Sequence, residues 1–226
     1  MQFFLNEWIF AAHIALMVGS TLVALRLGRT ALVAMVTLQA VMANLFVVKQ
    51  MTLFGFQVTC SDVYAIGCML SLNLLQEYYG SKEALKAARL SLFCMLFFAG
   101  MAKVHLAYAP NAYDASQAAF QTIFASSWRL FLASIATYFT VQMLDLSLFG
   151  WLRRKLQGKI FGIRLISSLG FSQIVDTCLF SFLGLYGLVP SMMDIILVSL
   201  FVKWCAIVAL IPFTWLSRHI AKAEAG

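Results

Sequence analysis

Seven apolar runs, each long enough to cross a bilayer, divide this 226-residue chain, and the positive charges between them fall in every second connection. Twelve of the sixteen Lys and Arg form four clusters: Arg26 with Arg29; Lys82, Lys86 and Arg89; Arg153, Arg154, Lys155, Lys159 and Arg164; and Arg218 with Lys222. A hydrocarbon core roughly 30 Å thick needs about 20 apolar residues per helical crossing, and backbone groups deprived of water must be satisfied within their own segment. The runs are therefore predicted as helices over residues 5–27, 30–49, 60–79, 84–108, 122–149, 164–187 and 192–216, with the chain 1–226 forming one transmembrane domain. The fold class is an all-α polytopic membrane protein.

Lys and Arg concentrate in cytoplasmic loops, so the clusters put the N-terminus outside and the C-terminus inside. With 62% hydrophobic and 11% charged residues, the chain lacks the polar surface a water-soluble domain needs. The net charge of +7 reports topology, and no nucleic-acid partner is called for. Glu7 and the lack of Lys or Arg before the first run argue against a cleavable leader, so that helix is expected to remain. Cys60, Cys68, Cys94, Cys178 and Cys205 form no CxxC pair, and three dispersed histidines suggest no metal site. No HExxH, GxSxG or phosphate-binding loop occurs, and no cofactor is implied. The longest polar connections, 109–121 and 150–163, leave no room for a soluble domain. Activity must reside in the bundle, as a transporter, channel, receptor, intramembrane enzyme or assembly subunit.

Polar residues within apolar runs are costly and mark function. The third run carries Asp62 near its outer end and Asn73, Gln76 and Glu77 near its inner end; Asn73 and Glu77, four apart, share a face. Glu77 also has a bland alternative as an interfacial partner of Lys82 and Lys86. The fifth and sixth runs echo each other in Gln142, Asp145 and Phe149, then Gln173, Asp176 and Phe180; each Gln–Asp pair projects from one face and offers donors and acceptors to a hydrogen-bonding ligand. Asp176 and Lys203 both fall deep in their runs, where the economical arrangement is a mutual pair or a shared polar cavity. Arg129 and Lys103 lie near helix ends and can snorkel. Asn44, with Gln39 five residues before it, suits interhelical bonding or ligand contact. Tyr64, Tyr138 and Trp204 are candidate stacking faces.

These residues carry a family resemblance. Asn44 to Lys49, Phe54-Gly55 and Asn73-x-x-x-Glu77-x-Tyr79-Gly80 resemble one signature of the queuosine precursor transporter family, also called the VUT family. Arg129, Ala133, Ser134, Gln142, Asp145 and Leu152-Arg153 resemble a second, and Ser168, Ser172, Gln173, Asp176 and Thr177 a third, with Lys203 and Pro212 following. The resemblance spans residues 39–216 and implies import of 7-deazaguanine bases or queuine across a bacterial inner membrane for transfer RNA modification. It also implies a six-helix core similar to the S-components of energy-coupling-factor transporters, plus an N-terminal helix. The substrate-binding set it implies is Asn44, Asn73, Glu77, Arg129, Gln142, Asp145, Gln173, Asp176 and Lys203, with Asp176 or Glu77 taking the two adjacent N–H groups of the base. Asn73 stands where many members have an acid, which disfavours a cationic aminomethyl substrate and leaves a neutral or bulkier one open.

Three other readings compete. Lys203 midway along a seventh helix would suit a retinal Schiff base, and Asp145 with Asp176 would suit a hydrolytic dyad. A vitamin-binding subunit working with a separate ATPase module is the third, and neither that partner nor a homo-oligomer is excluded by sequence.

Overall fold

The structure, a computed structural model, describes residues 3–59, 61–124, 128–156, 161–187, 192–212 and 216–217. Eight α-helices run through the described residues: α1 (Phe3–Arg26), α2 (Arg29–Leu45), α3 (Ser61–Tyr78), α4 (Ser81–Ala107), α5 (Gln117–Phe124), α6 (Trp128–Lys155), α7 (Phe161–Phe180) and α8 (Met192–Ala209). Seven of them answer to the seven apolar runs, and five, namely α1, α4, α6, α7 and α8, are long and apolar enough to cross a membrane. The architecture is thus the all-α polytopic one the composition demands. Cys60, Lys159, Arg218, His219 and Lys222 lie outside the described residues.

The long helix least suited to lipid sits innermost. Asp62, Asn73, Gln76 and Glu77 make α3 too polar to stand among the five, yet α3 is buried along most of its length, from Val63 through Gln76 with few interruptions. It packs against α1, α2, α4, α6, α7 and α8. Helices apolar around most of their circumference show one stripe to the lipid instead: Leu90, Phe93, Phe97, Met101 and Val104 on α4 are all exposed, as are Met193, Leu197, Phe201, Trp204 and Val208 on α8, at helical spacing in both cases. Apolar surface that would be a liability in water is here the solvent-facing side.

The described residues of the first two basic clusters meet at one end of the bundle, where Arg29 Nη1 reaches Glu83 Oε2, between Lys82 and Lys86, at 3.5 Å. α1 and α2 are joined there through Leu27 and Gly28, and the φ of +94° at Gly28 is one that residues with a Cβ rarely adopt. At the opposite end the chain forms an antiparallel hairpin, β1 (Gln50–Leu53) with β2 (Phe56–Thr59). Its turn has positive φ at both central residues, 51° at Phe54 and 82° at Gly55, the backbone sense that suits the twist of a two-residue hairpin. Tertiary contacts hold the unfavourable Phe54 conformation: its N–H donates to Glu7 Oε1 at 2.9 Å, and its ring meets Phe10 of α1 and Phe201 of α8. The hairpin accounts for α2 ending at Leu45 rather than at residue 49, and it leaves Lys49 exposed in the connection.

α6 begins at Trp128 rather than at 122, because the preceding stretch forms the separate short α5. α7 begins at Phe161, so Arg164 lies inside it, and its far end continues as a π-helical turn, Ser181–Leu185. Two cations expected to snorkel are used at helix ends. Arg129 Nε and Nη2 donate to the carbonyls of Leu183 and Tyr186, and Lys103 Nζ donates to the carbonyl of Phe124 at the end of α5. Both meet the negative end of a helix dipole.

Candidate functional site

α7 presents polar side chains at every turn of one face, Arg164, Ser168, Ser172 and Asp176, over a rise of about 18 Å. Each turn of this ladder meets a partner on α3, α6 or α8, dividing the polar interior into three layers.

At the hairpin end, Lys203 of α8 is shared between two helices. Its ammonium donates to Asp176 Oδ2 at 2.6 Å and Thr177 Oγ1 at 3.0 Å on α7, and lies 3.6 Å from Asp62 Oδ1 on α3. The lysine side chain is 4% exposed. This is the Asp176–Lys203 pairing that depth in the runs suggests, with Asp62 added.

At the basic end, Glu77 of α3 lies between two arginines. Arg164 Nη2 donates to Glu77 Oε1, and Arg153 Nε stands 3.6 Å from Oε2. Arg153 also donates to the Gln76 carbonyl. Lys86 pairs with Glu83 at 2.9 Å instead of with Glu77. Since Asp62 and Glu77 are separated by about 22 Å along α3, Asp176 and Glu77 cannot grip one small ring together.

Between these clusters lies a layer whose hydrogen bonding is incomplete. Asp145 of α6 is fully buried; its Oδ1 accepts from Ser168 Oγ at 2.6 Å and Ser172 Oγ at 3.0 Å, while Oδ2 has no hydrogen-bond partner among the described residues. Asn73 of α3 is fully buried with its side chain turned to Asp145, but neither amide atom makes a well-aligned hydrogen bond among those residues. Gln142 of α6 and Gln173 of α7, 2% and 0% exposed, donate to sulfur, Cys68 Sγ at 3.4 Å and Met69 Sδ at 3.0 Å, with Gln142 also beside the Tyr138 hydroxyl, and each leaves Oε1 without a partner among the described residues. Sulfur is a weak acceptor and most buried polar atoms in proteins are paired, so four side chains in one layer hold unused hydrogen-bonding capacity. Tyr138 borders them, its hydroxyl 2.7 Å from Ser91 Oγ and 3.4 Å from Cys68 Sγ.

The remaining expected contacts lie elsewhere. Asn44 accepts from Ser134 Oγ at 2.7 Å and donates to the Ala40 carbonyl and Met95 Sδ, joining α2, α4 and α6. Arg129 caps the end of α7. Tyr64 packs with His13 and Phe46, and the Trp204 ring, 38% exposed, lies where a Cβ on Gly170 would strike it. Asp145 and Asp176 stand in different layers with different partners, which separates the members of the supposed dyad. Asp62, Arg153 and Arg164 enter the site as additions. Their sequence signal was charge inside or beside an apolar run, which needs an opposite charge nearby; which one pairs with which is set by the packing of α3, α6, α7 and α8.

A family model described as "Putative vitamin uptake transporter" matches residues 59–217, a span that includes all three layers. A "Probable queuosine precursor transporter" from Bacillus subtilis (strain 168) is 28% identical over 196 residues, covering 85% of this chain and 86% of that protein. No solved structure matches. The apolar helices and these relatives describe a multi-pass membrane transporter of a small, vitamin-like molecule rather than an enzyme. The matched family covers most of the chain, so the protein belongs to the vitamin uptake transporter family.

Proposed function

We propose that the protein imports queuosine precursors, 7-deazaguanine bases or queuine, for salvage into transfer RNA, and that the base binds in the middle layer between α3, α6 and α7. The observation that carries this reading is the set of unpartnered atoms there. Gln142 Oε1, Gln173 Oε1 and Asn73 Oδ1 are acceptors, and Asp145 Oδ2 with the Asn73 amide beside it adds an acceptor and a donor that a ligand can bridge. A guanine-type ring, with several N–H donors along one edge and a single carbonyl, is the complementary set. An analogue lacking those N–H groups would leave buried acceptors unpaired, at about 1–3 kcal/mol each. The B. subtilis relative's name supports the same substrate class.

On this reading Asp145 replaces Asp176 and Glu77 as the carboxylate that takes the base. The Asp176–Lys203–Asp62 cluster closes the layer toward the hairpin and the Glu77–Arg153–Arg164 cluster closes it toward the basic end. Alternating access opens one while the other stays shut. The positive-inside rule puts the basic end in the cytoplasm and the N-terminus outside, in the inner membrane of a bacterium. We read α2, α3, α4, α6, α7 and α8 as a six-helix core similar to S-components, with α1 added.

The test is queuosine restoration in transfer RNA of bacterial cells lacking both precursor synthesis and their own importer, each base fed separately. Wild type restores the modification; Asp145→Asn and Gln142→Leu, at matched membrane levels, do not. Failure of correctly inserted wild type with every base overturns the proposal.

A further inference from the structure

Charge does not balance at the hairpin end. Lys203 is one cation between two carboxylates, 2.6 Å from Asp176 Oδ2 and 3.6 Å from Asp62 Oδ1, so the cluster is left one negative charge in excess when both acids are ionised. A carboxylate withdrawn from water without a counterion is expensive and tends to neutralise. Its surroundings offer no second cation among the described residues. α8 brings Lys203 and the Ser199 hydroxyl, α7 brings Asp176 and Thr177, and α1 brings His13, whose ring lies edge-on against Tyr64 at 4.7 Å. The start of α3 adds only the Ser61 hydroxyl, engaged with Thr59 at 2.8 Å.

The two acids are also the accessible members of the cluster. Asp62 and Asp176 side chains are 17% and 23% exposed, with Lys203 buried behind them. A metal cation would need several oxygens turned toward it, whereas Asp176 Oδ2 and Thr177 Oγ1 already accept from Lys203. A proton needs one oxygen.

We propose that Asp62, Asp176 and Lys203 form a proton site, and that protonation of this cluster is coupled to passage of the substrate; the coupling rests on the transport reading above. The geometry supplies the link. With both acids ionised, Lys203 ties the start of α3 to α7 and α8. With Asp62 protonated, the ammonium belongs to Asp176 alone, and the ion pair between α3 and α8 gives way to the hydrogen bond of Asp62 with the Ser199 hydroxyl. Asp176 lies one turn beyond Gln173 on α7, so this rearrangement borders the layer that holds the base. Two arrangements of one cation among three helices form the kind of bistable element that a bound proton can bias.

The test begins with pH-difference infrared spectroscopy of the purified full chain, which detects a protonated carboxyl through its carbonyl stretch whatever the substrate. Wild type shows a titrating carboxylic-acid band from Asp62 beside that of Asp145, which is buried against two serines with no cation among the described residues; Asp62→Asn removes the first and leaves the second, and Asp62→Glu retains both with the first shifted, which guards against loss through misfolding. No titrating band other than the one lost in Asp145→Asn overturns the site. In proteoliposomes, an inward proton gradient accelerates uptake of the base by wild type several-fold, whereas Asp62→Asn takes it up at a rate independent of the gradient. Wild-type uptake that ignores the gradient overturns the coupling and leaves the substrate reading standing. A titrating Asp62 band without uptake of any base upholds the proton site and overturns the substrate reading.

Discussion

Replacing Lys203 by Gln leaves Asp62 and Asp176 facing each other without their shared cation. The lysine contacts of 2.6 and 3.6 Å keep the two carboxylate oxygens no more than about 6 Å apart, and unit charges at that distance repel by about 3 kcal/mol at an effective dielectric near 20. Removing one side of a buried ion pair costs about 3–5 kcal/mol. Partial exposure of both acids puts Lys203→Gln at the lower end, about 3 kcal/mol, which for a chain of this size lowers the unfolding midpoint by about 6–12 °C. Thermal unfolding of the detergent-purified protein, followed by size-exclusion recovery of the folded species, measures this directly. Adding Asp176→Asn to Lys203→Gln removes the repulsion and recovers at least half the loss, a coupling expected only of groups in contact. The single variant's deficit also shrinks as pH falls, since protonating either orphaned acid ends the repulsion. A Lys203→Gln midpoint within about 2 °C of wild type, or a double variant no better than the single, would refute the assignment of Lys203 as shared counterion.

Two further predictions use the same measurement. Arg164→Met should cost about 2–4 kcal/mol and Arg153→Met less than about 1 kcal/mol, because both bind Glu77 but their side chains are 8% and 41% exposed; equal effects would contradict the layer at the basic end. Gly150→Ala places a Cβ 2.8 Å from Gln76 Nε2, which is anchored to the Leu146 carbonyl at 2.9 Å, so it should destabilise by about 1–3 kcal/mol, and an unchanged midpoint would show that α3 and α6 do not cross that closely.

The hairpin shows one limit of reading the chain linearly. Residues 50–59 contain Phe54-Gly55 rather than the Asn-Gly or Asp-Gly that marks a two-residue turn, and the Phe54 conformation depends on Glu7, Phe10 and Phe201, all remote in sequence. Asn44 and Arg129 show another. A polar group in an apolar run must bond to something, but the run does not say whether that partner is a helix or a ligand. For these two it is Ser134 and the carbonyls closing α7.

What the sequence by itself determined is the lipid solvent and the helical character of the apolar runs. Those follow from transfer free energies and backbone satisfaction, which act on each segment independently of its neighbours. It also marked which polar residues were costly enough to need partners. Only the tertiary structure decided the partners, because ion pairing and hydrogen bonding depend on side chains from different helices meeting at one depth. That meeting put Asp62 beside Lys203, gave Glu77 two arginines rather than Lys82 and Lys86, gave Asp145 two serines, and set Asn73, Gln142 and Gln173 around it with capacity to spare.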